Sequence, residues 1–195
     1  MSHAPDKRRR CEWVKNGNAL YYQYHDNEWG VPVRDDTRHF EFLILEGMQA
    51  GLSWAVVLNK RENYRRRFAG FNPQKTARFD QKKIDSLLQD AGLIRNRLKM
   101  EAAVINARAF LKIVEDFGSF DNYVWPFVGG KVLMGKGEHP APSTSPESKT
   151  LSADLKSRGF KFVGETVIYA HMQAAGMVND HDKQCFRRRE CSSCG

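Results

Sequence analysis

The stretch Phe42–Trp54, FLILEGMQAGLSW, constrains the fold of this chain more than any other. Apolar residues recur with helical periodicity from Phe40 to Met48, which predicts a helix with one face turned to a core. A single carboxylate, Glu46, shares a stripe of that helix with Phe42, Leu43 and Ala50. The run breaks at Gly51, and Leu52 and Trp54 follow at once. An acid on an apolar stripe is a rim or capping group, or it is paired or kept for chemistry. The stretch alone leaves these alternatives open.

A chain of 195 residues supports one sizeable core, or two small lobes sharing a cleft. Thirty-one Lys and Arg against 23 Asp and Glu give a net charge of +8, which favours an anionic partner, nucleic acid first. The basic runs Lys7–Arg10 and Arg187–Arg189 flank the expected fold and read equally well as solvated tails. No stretch is apolar enough to span a membrane, and residues 1–12 are too polar for a secretory signal, so a cytoplasmic protein is expected. The four cysteines, Cys11, Cys185, Cys191 and Cys194, lie only at the two ends. In a reducing compartment a metal explains them better than disulfides do.

In chain order, residues 1–10 read as a disordered basic tail. Cys11–Tyr24 is rich in aromatics, and His25–Pro32 is rich in turn formers. Asp35, Asp36 and Thr37 offer caps for the helix of Glu46, and Ser53 for the next. Asn72-Pro73 starts a short helix. Asp80 opens another, which Gly92 is expected to end as a left-handed C′ residue. A long helix runs from about Arg97 to Val114, and a short one follows Ser119. Residues 129–145 read as loop. Ser145-Pro146 and Glu165 begin the last two helices, stopped by Gly159 and Gly176. With no confident strand and no repeat, the expected fold is all-α: a helical domain over residues 11–186, two lobes around a pocket, and a basic Cys-containing tail over 187–195.

Three constellations carry chemistry. His181 and Cys185, four apart, face one side if that segment is helical, with Cys11 and His25 as the natural second pair for a tetrahedral zinc. Cys185 with Cys191-x2-Cys194 is a rival shell, and no metal is a third reading. The pair of helices joined by AGLIRN is either an ordinary αα-hairpin or a phosphate cradle, with Arg95, Arg97 and Lys99 adding charge. Trp13, Tyr21, Tyr24 and Trp54 are either core or a stacking platform for a base. Gly130–Lys136 matches G-x4-G-K, but Gly137 stands where a P-loop has Ser or Thr, and no strand precedes it.

Several long strings together resemble one family: CEWV, YHDNEWGVP, LEGMQAGLSW with LNKRENYR, DAGLIRNRLK with NARAF, and RGFKFVGETVIYAHMQAAGMVNDH ending near Cys185. In these the chain is similar to the bacterial type I 3-methyladenine DNA glycosylases, members of the helix-hairpin-helix glycosylase superfamily, from about Cys11 to Cys185. The resemblance implies a monofunctional repair enzyme that acts on double-stranded DNA containing alkylated bases. It would flip out 3-methyladenine and hydrolyse its glycosidic bond without a lyase step, as a monomer with no obligate protein partner. It implies one structural zinc on Cys11, His25, His181 and Cys185. It implies a base pocket with Glu46 as the catalytic residue, acting as a recognition and electrostatic group or by activating water, Tyr24 as a hydrogen-bonding partner, and Trp13, Tyr21 and Trp54 as walls. It further implies a wedge at Gly51 and Leu52 with Gln49 nearby, and a phosphate-holding hairpin at Ala91–Asn96 that includes Gly92. The chain departs from the family in one extra residue between Cys11 and His25, in the Gly/Lys-rich loop near 129–138, and in the Cys191/Cys194 tail.

Overall fold

A computed structural model describes residues 6–15 and 17–192. The helices are α1 (Ala19–Asn27), α2 (Asp36–Gln49), α3 (Trp54–Arg67), α4 (Pro73–Thr76), α5 (Gln81–Gln89), α6 (Arg97–Phe117), α7 (Phe120–Val124), α8 (Pro146–Ser157), α9 (Glu165–Ala174) and α10 (Phe186–Ser192), with 3-10 turns at Glu12–Val14, Ala69–Phe71 and Trp125–Val128. Their starts follow local capping chemistry. Asp35, Asn72, Asp80, Asn96 and Ser119 each accept a hydrogen bond from the backbone amide three residues on. Ser145 and Ser148 form a reciprocal box. Ser53 occupies the cap position of α3, but its side chain makes no cap bond.

Helix α2 is the centre of the molecule. It packs against α3, α6, α7 and α9, and every residue from His39 to Glu46 is buried. Phe40 meets Phe110 edge-on at 5.2 Å between ring centroids, and Phe110 stacks on Phe120 at 4.4 Å. Asp36, one residue inside the helix, accepts from the amides of Phe120 and Asp121 at 3.0 Å each, fixing the entry of α7.

The structure differs from the sequence expectation at four places. The first three residues of the turn-rich segment His25–Pro32 are helical, because α1 (Ala19–Asn27), capped by Asn18 accepting from the Tyr21 amide, runs through them. Within 129–145, β1 (Leu133–Met134) pairs in parallel with β2 (Val178–Asn179), so the helical fold carries one small bridge. Two-residue strands leave no periodicity to read. The C-cap of α5 is Asp90, and Gly92 does not have positive φ. Glycine is required there by close approach, since a Cβ would fall 2.0 Å from Asn63 Nδ2. Finally, the flanks dock. Residues 1–5 and 193–195, Cys194 among them, lie outside the described residues, but Arg10 grips Asp26, the Arg9 carbonyl accepts from the Phe186 amide at 2.9 Å, and α10 buries Cys191.

Candidate active site and metal clip

The first 3-10 turn brings Trp13, α1 brings Tyr21 and Tyr24, α2 brings Glu46 and Gln49, and the first turn of α3 brings Trp54 to one cavity of about 470 Å³. That is ample for a purine. Trp13 stands edge-on to Tyr21 at 5.5 Å and to Trp29 at 5.1 Å, and the Tyr24 and Trp54 rings lie 5.2 Å apart. Residues that sequence reasoning did not single out complete the lining: Trp29, Gln173, Asp180 and the loop at 139–143. The string NDH contains Asp180, whose carboxylate accepts from Tyr169 and Gln173 of α9 at 2.6 and 2.9 Å.

Glu46 is 5% exposed and has no hydrogen-bond partner among the described residues. Burial pushes its carboxyl up to about 8. The expected bond from Tyr24 is not formed: among the described residues the buried phenol has no partner, and neither do the indole N–H groups of Trp13 and Trp54. Burial, and then the nearby Glu46, hold the Tyr24 hydroxyl well above its ordinary range, so it stays protonated as a donor. Native proteins rarely leave so many buried polar groups unpaired in one place unless something else satisfies them. A ligand with its own donors and acceptors would.

Next to Tyr24 lies an ion cluster that sequence reasoning missed. Glu41, almost fully buried, accepts from Arg38, from Arg61 Nε at 2.9 Å and from Arg65 at 2.7 Å. Arg61 also holds Glu28 at 3.0 and 2.8 Å. Burial alone would raise the Glu28 carboxyl, but the Arg61 hydrogen bonds outweigh it and hold the group low. The acids at 28 and 41 and the bases at 61 and 65 belong to three helices or their ends, and no local pattern pairs them.

At the end of α2, Gly51 takes φ +78° and Leu52 is 41% exposed, so the turn presents an apolar tip beside Gln49. Three residues expected on DNA, Gly92, Arg97 and Lys99, have partners within the protein. Lys99 is 7% exposed and its amine donates to the carbonyls of Met48 and Ala50, so it closes the end of α2. The Gly92 amide donates to Asp90 Oδ1 at 2.8 Å, and that of Ile94 to the Tyr64 hydroxyl at 3.0 Å. Arg97 pairs with Asp85 at 2.7 Å, while Arg95 is exposed with no ion pair among the described residues.

Beside the pocket, where His25 follows Tyr24 on α1 and its ring stands 5.5 Å from that of Trp13, ligand atoms of Cys11, His25 and Cys185 lie within 4.8 Å of one another. His25 Nδ1 sits 2.8 Å from Asp26 Oδ1, which turns Nε2 towards the sulfurs, 3.4 Å from Cys185 Sγ. His181 is not on a helical turn with Cys185 but in the loop after β2. Its ring stands 5.3 Å from that of His25, with Nδ1 on Asn179 Oδ1 at 3.0 Å and Nε2 buried without a partner among the described residues. Gly30 lets it in, because a Cβ there would meet the imidazole at 2.5 Å.

The model of one family, methyladenine glycosylase, matches residues 13–188. The chain belongs to that family. It is 48% identical over 178 residues to DNA-3-methyladenine glycosylase 1 of Escherichia coli K12, covering 90% of this chain and 95% of that protein. It is 45% identical to DNA-3-methyladenine glycosylase of Haemophilus influenzae, covering 90% and 96%. Among solved structures, a crystal structure of 3-methyladenine DNA glycosylase I superposes with a TM-score of 0.86 at 47% identity, covering 91% of this chain and 98% of that one. A Staphylococcus aureus enzyme, solved to explain its recognition of 3-methyladenine, gives 0.87 at 35% identity, covering 92% and 96%. This methyladenine glycosylase family member therefore shares the helical architecture of those enzymes over almost all of its described length.

Proposed function

We propose that this chain is a monofunctional DNA-3-methyladenine glycosylase, binding double-stranded DNA that contains alkylated bases, flipping out 3-methyladenine and hydrolysing its N-glycosidic bond to leave an abasic site. One observation carries the reading: a buried carboxyl without a partner faces a ring-walled cavity of purine size.

Methylation at N3 leaves the adenine of the intact nucleotide positively charged. With its carboxyl raised to about 8, Glu46 holds its proton at neutral pH in the empty pocket. Ionising it at pH 7 costs about 1.4 kcal/mol. A cation about 4 Å away returns roughly 4 kcal/mol at an effective dielectric of about 20. The exchange is favourable for the cationic lesion and unfavourable for neutral adenine, which gives selectivity without a steric filter. Glu46 is thus a recognition and electrostatic group. The Tyr24 hydroxyl and the indole N–H groups are free to meet the base edge, and the rings can stack on its faces.

The base reaches the pocket only out of the helical stack, and a lesion costs less to extrude than an intact pair. The Leu52 tip, with Gly51 and Gln49, is suited to fill the gap, and Arg95 beside the hairpin to hold the backbone. A lyase step needs an amine at the sugar. Among the described residues lining the pocket there is no lysine, and the Lys99 amine is bound by carbonyls.

Cys11, His25, His181 and Cys185 would hold one zinc ion. Two thiols and an imidazole oriented by a carboxylate converge, and the orphaned buried Nε2 of His181, on a ring 5.3 Å from that of His25, supplies the fourth donor that a tetrahedral shell needs. Such an ion would supply structural cohesion, tying the first turn of the chain to its last. The folded unit then spans residues 11–186 with docked ends, acting as a monomer in the bacterial cytoplasm. Among the described residues no helix is long and apolar enough to cross a membrane.

The deciding experiment incubates the protein with methylated duplex DNA and separates the released bases by chromatography. Release of 3-methyladenine with matching abasic sites is expected from the native chain. DNA binding without base release would leave a helical DNA-binding module instead.

A further inference from the structure

A second cavity, of about 440 Å³, shares His139 and Asp182 with the base pocket, so the two open side by side. Its walls carry Arg8, Arg9 and Arg10 of the N-terminal arm together with Lys15 and Lys183. Of the three carboxylates present, two are paired with cations and Asp182 keeps its charge. Asp6 is held by Arg8 and Arg10, Glu12 by Lys15, and Asp182 accepts from the Glu12 amide at 2.7 Å. Arg9 makes no ion pair among the described residues, and Lys183 has only a 3.4 Å contact with exposed Glu138.

The arm is fixed. The Arg9 carbonyl accepts from Phe186, the Arg10 guanidinium grips both oxygens of Asp26, and Arg8 lies 4.1 Å over the Phe186 ring. Arg9 is therefore held at the rim as a cation with its backbone already ordered. The family match begins at residue 13, so this arm precedes it. It packs on the wall formed by α1 and the 181–186 segment. The hairpin packs instead on α3, where Lys60 donates to the Ala91 carbonyl at 2.8 Å.

We propose that this cavity holds a backbone phosphate of the DNA strand next to the flipped nucleotide, with Arg9 and Lys183 as the cations that meet it. The inference rests on the glycosylase reading and deepens it: the strand would be held from two walls of the pocket, by the hairpin on one and the arm on the other.

The test measures affinity of the full chain, across a salt series, for a duplex bearing an abasic-site analogue. In the Arg9→Ala/Lys183→Ala variant the slope of log affinity against log salt should become shallower by about 1 for each phosphate that the protein no longer neutralises. Arg9→Lys with native Lys183 should keep the native slope, which separates charge from folding. A native slope and affinity in the double alanine variant would overturn the proposal. So would an inorganic phosphate titration that raises the melting temperature of the native chain, but not of the variant, while the DNA slope stays unchanged, because the cavity would then serve a free anion. Base release from methylated DNA is scored separately on the native chain. Its absence beside a changed slope defeats the catalytic reading, and its presence beside an unchanged slope defeats only the phosphate cavity.

Discussion

The Lys99 amine closes the helix that carries Glu46, donating to the Met48 carbonyl at 2.8 Å and to that of Ala50 at 2.6 Å. Carbonyls at a helix C-terminus lack partners of their own, and a cation there also meets the negative end of the helix dipole. Lys99 thus sets where α2 stops and where the Gly51–Leu52 turn begins.

Replacing it separates a structural role from a phosphate-binding one. Lys99→Met keeps the stem and removes the donors, so it should lower stability by about 1–3 kcal/mol, the range for leaving a buried acceptor unpaired. Denaturant unfolding checks this. The salt slope of DNA binding should stay native, whereas a lysine bound to phosphate would make it shallower when replaced.

Glu46 predicts two opposite pH responses. If the carboxylate is the form that meets the cationic base, kcat/KM for 3-methyladenine release rises with pH up to about 8. Glu46→Gln should abolish most release and flatten that profile while retaining DNA binding. Stability runs the other way. Between the unfolded carboxyl value and about 8 the folded protein keeps a proton that the unfolded chain has lost, so the native chain loses stability as pH rises through that window. Glu46→Gln should therefore melt higher than the native chain at pH 8, with the difference vanishing near pH 4. Equal melting at both pH values would place the carboxyl in solvent.

Cys185→Ser should lower zinc content and melting temperature together, since a structural zinc contributes folding energy directly. Stoichiometric zinc retained in that variant, measured by metal analysis, would remove Cys185 from the shell. Asp26→Asn should weaken metal retention less, because it leaves the ligands in place and loosens only the orientation of His25.

The buried pair His39 and His171, ring centroids 5.5 Å apart, should make the fold acid-sensitive. No nitrogen of His171 has a partner, and burial, then the neighbouring His39, hold its imidazole well below the ordinary histidine range. Asp121 Oδ1 lies 3.5 Å from His39 Nε2. Below pH about 6.5 the unfolded chain takes up a proton that folded His171 refuses, so stability falls with pH by up to about 1.4 kcal/mol per pH unit. His171→Phe should reduce that slope in melting curves recorded between neutral and mildly acidic pH.

Much of the fold is legible in the chain. Helix starts such as Asp35, Asn72, Asp80 and Asn96 can be read because a cap and the amide it binds are three residues apart. The apolar stripe around Glu46 is likewise a local periodicity, and burial of its carboxyl follows once that stripe meets a core. The aromatic clusters are visible as composition, though whether they line a cavity is not.

Local pattern set the helices, their caps and the isolation of one acid on an apolar face. The assembled fold decided what each charge and ring meets. Lys99 binds a carbonyl 49 residues away, Glu41 gathers three arginines, and Trp29 and Asp180 reach the pocket. The reason is physical: capping and amphipathicity act between near neighbours in sequence. The partner of a long charged side chain depends on which helices are brought together, and nothing in its own neighbourhood records that.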